Sequence, residues 1–136
     1  MASIADLLFS DDPQARLVEH LRRALPSGVG VYSQTLPDRW NPNMGLAVVV
    51  ADDASQVRES TFDRVLVRVS VHAPTFDLSR KYGRSIYEFL TSPIGGVGLG
   101  ISRQRSTSPV VGPNSLAGGF VSTCSYSCGC SKKEFS

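Results

Sequence analysis

The stretch Val65-Leu-Val-Arg-Val-Ser-Val-His72 alternates so strictly that an extended strand with one apolar side is the conformation that suits it. A helix would divide the valines between opposite sides, whereas a strand gathers Val65, Val67, Val69 and Val71 on one face. A face of that kind must be covered, and it needs neighbouring strands. Gly45 to Ala51 is almost continuously apolar and reads as a strand buried on both faces. Val29 to Gln34 and Ile101 to Arg105 read as shorter strands. In Phe120 to Cys130, Phe120, Ser122, Cys124, Tyr126, Cys128 and Cys130 share one side, and Val121, Thr123, Ser125 and Ser127 share the other.

Two helices supply the cover. Asp11-Asp12-Pro13 gives a capping acid and a first-turn proline, and Leu17, Val18, Leu21, Ala24 and Leu25 follow at helical spacing. The spacing predicts a helix over residues 12–25. Pro74-Thr75-Phe76-Asp77 opens a second, with Leu78, Tyr82, Ile86, Phe89 and Leu90 inward and Arg80, Lys81, Arg84 and Glu88 outward, ending at Thr91-Ser92-Pro93. The fold class is α+β: a mostly antiparallel β-sheet with two main α-helices packed on one face. A chain of 136 residues has material for one core, so residues 1–136 form a single domain, with 1–10 as an N-terminal extension and 131–136 as a C-terminal tail.

Several functional classes fit poorly. Fourteen Lys and Arg against twelve Asp and Glu leave a charge of +2, spread along the chain rather than gathered as a dedicated nucleic-acid surface requires. No apolar run approaches the ~20 residues of a membrane span, and Asp6 interrupts Ile4, Leu7, Leu8 and Phe9 without a basic segment before them, so no secretory signal is read. The chain reads as soluble, with protein partners.

Candidate chemistry is sparse. Cys124, Cys128 and Cys130 offer three ligands along one strand where a closed zinc site needs four that converge, and His20 and His72 lack ligand-like neighbours. Their crowding near one end gives no disulfide framework either. His72 could reach a cysteine as a general base, but no orienting third group is apparent, and a partly solvated histidine at a strand end is the plainer reading. Gly95 to Gly100 matches neither phosphate-loop spacing and follows a helix instead of a strand, so it reads as a turn. Asp11, Asp12, Asp52 and Asp53 fall in caps and turns. No catalytic, metal or cofactor residue is assigned, no cofactor is called for, and the chain reads as a non-enzyme.

Residues 35–44, 51–62 and 106–119 read as connections longer than the usual ~4–6 residues. They carry Leu36, Trp40, Val57, Phe62, Val110, Val111 and Leu116. Either these fold back on the chain's own core or they are buried against a neighbour.

The segment from Val65 to Leu90 resembles the strand-then-helix centre of tail terminator proteins of long-tailed (siphovirus-type) bacteriophages. The flanking order is similar too: an N-terminal helix with Ala15-Arg16 and Leu21-Arg22, the Val29-Gly-Val-Tyr32 strand, and a closing strand after Gly112-Pro113. The likeness spans residues 10–130, and the cysteine-rich end departs from it. It implies a virion protein that forms a homo-oligomeric ring, generally a hexamer, at the head-proximal end of the tail tube. Such a ring stops tube polymerisation, touches the tail tube protein and the neck or head-closure protein, and lets DNA pass without reading its sequence. Under this resemblance Arg58 and Phe62 in 51–62, and Val110 and Val111 in 106–119, become interface residues. Arg80, Lys81 and Arg84 either pair with acidic residues of a neighbour or are simply solvated. Alternatives are a head-closure (stopper) or tail-completion protein of similar fold, a small thiol- or metal-dependent enzyme using the cysteines, and a host adaptor domain.

Overall fold

The valine alternation lies inside a longer strand in the computed structural model, which describes residues 13–58, 62–92, 101, 106–107, 109–114 and 118–131. Among them the order is α1 (Pro13–Ala24), β1 (Gly30–Ser33), a 3-10 turn (Pro42–Met44), β2 (Ala47–Arg58), β3 (Phe62–Ala73), α2 (Phe76–Thr91), β4 (Val110–Pro113) and β5 (Phe120–Ser131). The strands lie in the order β1-β2-β3-β5-β4, with β1 parallel to β2 and every other pair antiparallel. The fold is therefore the α+β arrangement with two helices that the sequence predicts.

Register decides what each face carries. Val48 and Val50 of β2 lie beside Val71 and Val69 of β3, which lie beside Ser122 and Cys124 of β5, while Val67 lies beside Tyr126. This face meets Leu17, Val18 and Leu21 of α1 and Ile86 and Leu90 of α2 in one buried cluster. β2 is apolar throughout Ala47 to Ala51 because its second face is also covered, all five residues being buried. The 34–46 connection provides part of that cover: Trp40 is buried, with its ring edge-on to His72 at 5.6 Å. Gly119, at φ +73°, lets the β4–β5 turn pass close beneath, where a Cβ would meet the Ala73 carbonyl oxygen and Pro42.

Three expectations need correction. Residues 51–58 are not a loop but the continuation of β2, with a register irregularity between Asp52 and Gln56. Their Asp and Ser content suggests a turn, yet β3 offers a ladder of backbone partners, and pairing overrides weak strand propensity. The 106–119 connection contains β4, since a short edge strand tolerates Pro109 just before it and Pro113 as its last residue. On α2 the buried stripe is Ser79, Gly83, Ile86 and Leu90, while Leu78 and Tyr82 are half-buried and Phe89 is 37% exposed. Small residues face the sheet because the helix approaches it closely. Ser79 Oγ donates to the Val71 carbonyl at 2.9 Å, and a Cβ on Gly83 would collide with Ser122. Phe89 stacks instead on His20 of α1, with ring centroids 5.4 Å apart. The Asp11-Asp12 cap, the 95–100 turn, most of the 101–105 strand, the 1–10 extension and residues 132–136 lie outside the described residues.

Helix and strand lengths do not match. β3 and β5 each have 12 residues, roughly 40 Å at ~3.3 Å per residue, whereas the 16 residues of α2 cover roughly 24 Å. α2 starts just after Ala73, and its Tyr87 packs on Tyr126, which lies opposite Val67. The Phe62 end of β3, with the paired ends of β2 and β5, therefore continues past the helix.

Candidate interface groove

α2 is fixed at its start by Thr75, whose hydroxyl accepts from the Leu78 amide, and by Asp77 in the first turn. Seating Ser79 and Gly83 on the sheet turns a second stripe, Phe76, Arg80, Arg84, Tyr87 and Glu88, toward β4 at the sheet edge. With Pro109 and Val111 these residues line a groove of about 510 Å³. Phe76 is 45% exposed and packs edge-on against Phe120. Arg80, Arg84 and Glu88 are exposed, while Tyr87 and Val111 are half-buried. The groove thus combines apolar walls with two guanidinium groups one helical turn apart.

β4 is the outermost strand on this side among the described residues, with Pro109 just before it and Pro113 as its last residue. A proline-bordered edge of four residues is a poor template for adding another strand, so contact here would run through side chains. Segment 106–107 continues the cover along β5: Thr107 N donates to the Ser125 carbonyl at 2.9 Å, and Ser127 N donates to Ser106 Oγ at 3.1 Å.

The interface residues suggested by the sequence divide into separate places. Arg80, Arg84 and Val111 meet in the groove. Val110 pairs with Thr123, so it projects from the opposite face of the sheet, 72% exposed. Lys81 is exposed outside the groove. Arg58 and Phe62 flank the β2–β3 connection, with Arg58 opposite Asp63, and their side chains lie outside the described residues. They sit at the far end of β3 from α2's start, roughly 35 Å away at ~3.3 Å per residue. Phe76, Tyr87, Glu88 and Pro109 were not foreseen, although the Phe76, Arg80, Arg84 spacing of four marks a helical stripe.

The candidate chemical groups are also placed. Cys124 and Cys128 are buried thiols on the helix-covered face. Cys124 donates to the Thr107 carbonyl, and burial pushes its thiol above its ordinary value. Tyr126, fully buried, is pushed far above the usual phenol range by burial and by neighbouring Cys124. His72 projects from the opposite face, so the sheet separates it from both thiols. Its Nδ1 lies 3.1 Å from Asn114 Nδ2, and an amide donor there fits the neutral ring that burial favours by lowering the pKa. Among the described residues no His, Cys, Asp or Glu group is arranged to hold a metal ion, and no helix is long and apolar enough to cross a membrane. No protein-family model and no curated protein matches this chain.

Proposed function

We propose that this chain is a phage tail terminator, a structural virion protein whose copies form a ring, generally six, at the head-proximal end of the tail tube. The observation that carries the reading is the groove: arginines and exposed apolar groups gathered beside a sheet edge that resists strand addition. A surface of that composition suits a specific protein contact, with apolar area for affinity and guanidinium groups for orientation. The resemblance of residues 65–90 to the terminator centre supplies the kind of assembly.

In this reading a head-to-tail ring uses a different surface on each side of the subunit. The strand ends beyond α2 form the projecting part that meets the tail tube protein, and the opposite side meets the neck or head-closure protein. Tube growth stops because the second side does not repeat the surface on which another tube ring would stack. DNA passing through the lumen is met by charge alone, without sequence reading. The chemistry is recognition, and the buried thiols serve the core.

Antibody-labelled electron microscopy of tailed particles tests this location. Label at the head-proximal end of the tail, in one ring, is the expected result. Particles without the protein would refute a virion role, and label confined to the head side of the neck would favour a head-closure protein.

A further inference from the structure

We infer that the α2–β4 groove holds an extended acidic segment of a different protein, with carboxylates on alternate residues and apolar residues flanking them; this rests on the reading of the groove as a protein contact. Along α2, Phe76, Arg80 and Arg84 follow one turn apart, roughly 6 Å each at ~1.5 Å per residue. Alternate residues of an extended chain share one side, roughly 6.6 Å apart at ~3.3 Å per residue. The two spacings match. A segment with the order apolar-x-Asp-x-Asp therefore sets an apolar side chain on Phe76, which is 45% exposed, and one carboxylate on each guanidinium. Neither Arg80 nor Arg84 has a side-chain partner among the described residues, so both charges are open to it.

Shape and charge narrow the occupant further. A methyl added to Gly83 would lie 3.7 Å from Pro109, so α2 and the segment leading into β4 close on each other at the floor of the groove. A helix, ~10 Å across with its side chains, cannot enter so narrow a cleft, whereas extended chains lie side by side at ~4.8 Å. Glu88 in the same lining repels a continuous phosphate backbone, while a segment with two carboxylates ends before reaching it. This chain does not supply the pattern. No two of its twelve Asp and Glu are separated by a single residue, so neither the molecule itself nor a second copy carries alternate carboxylates, and the occupant belongs to another protein.

The test measures fluorescence anisotropy of labelled peptides on the full chain. Leu-Ser-Asp-Ser-Asp-Ser-Leu reads the same in both directions, so the result does not depend on which way the occupant runs. It should bind about tenfold more tightly than Leu-Ser-Asn-Ser-Asn-Ser-Leu, and about threefold more tightly than Leu-Ser-Asp-Asp-Ser-Ser-Leu, which misplaces one carboxylate. Arg80→Glu with Arg84→Glu, at two exposed positions, should abolish both preferences while leaving the urea midpoint unchanged. With photoreactive benzoylphenylalanine in place of the first Leu, crosslinks mapped by mass spectrometry should fall on α2 or residues 109–111. Equal binding of the three peptides, or a preference that survives the reversal, overturns the inference. If the neutral peptide crosslinks in the groove as well as the acidic one, the groove stays a protein contact without an acidic occupant; if no peptide crosslinks there at about 1 mM, both readings of the groove end. Tighter binding of oligothymidine, lost in the reversed variant, would overturn the inference and assign the groove to nucleic acid. The ring is tested separately, by the labelled particles.

Discussion

Replacing Gly83 by alanine tests whether α2 is seated on β5 as described, and the sign of the effect should depend on residue 122. In an unencumbered helix the change stabilises by about 1 kcal/mol, the ordinary difference in helix propensity. Here the new methyl would overlap the Ser122 hydroxyl and lie 2.9 Å from its Cβ, and Ser122 is 1% exposed with no room to move outward. Overpacking of a closed core costs about 1–3 kcal/mol, so Gly83→Ala should destabilise by about 1 kcal/mol net. With Ser122→Gly the obstructing side chain is gone, and the same change should stabilise by about 1 kcal/mol. The coupling is then about 2 kcal/mol, well above the additivity error for independent sites. Urea unfolding of the four proteins, with unchanged denaturant slopes, measures it. Stabilisation of similar size in both backgrounds would show that Gly83 does not face Ser122, and the groove, whose Pro109 lies 3.7 Å from the same added methyl, would lose its geometry.

Trp40, the sole tryptophan, is buried against His72, so its fluorescence should be blue-shifted when folded, and Trp40→Ala should cost about 3–5 kcal/mol in urea unfolding. A loss under about 1 kcal/mol would mean that the 34–46 connection does not cover the sheet. Burial holds His72 below its ordinary 6.5, so the unfolded chain takes up this proton first as pH falls. The contribution is complete above 6.5 and is lost on acidification toward the folded-state value, a slope that His72→Gln should flatten; its persistence in that variant would contradict the assignment. Cys124 and Cys128, buried as thiols, should react with a thiol reagent at the rate of unfolding. Immediate reaction of both in the folded protein would contradict their placement.

The parts of the fold legible in the sequence are those where one periodicity ruled. The Val65–Val71 alternation, the apolar run at 47–51 and the turn-bounded helices all appear as expected, because burial and propensity agree there. Residues 52–58 and 110–113 were misread because strand pairing with β3 and β5 decides their conformation, and a local window contains no sign of the partner. The α2 stripe shifted for a related reason. Leu78, Tyr82 and Phe89 have the hydrophobicity of a buried face, but the close helix–sheet approach favours Ser79 and Gly83. Arg80 and Arg84 were legible as one helix face; that Val111, and not Val110, joins them depends on β4 pairing with β5, which places Val111 beside Ser122. Trp40 joined the protein's own core, whereas Val110 remained exposed, so the same kind of connection has both outcomes.

The central claim is that this chain ends tail growth, and the most direct measurement is tail length by electron microscopy in particles assembled with and without it. The account predicts overlong tails, or tails unattached to heads, when the chain is missing, and normal length when it is restored. Tails of unchanged length, joined to heads as before, would contradict it.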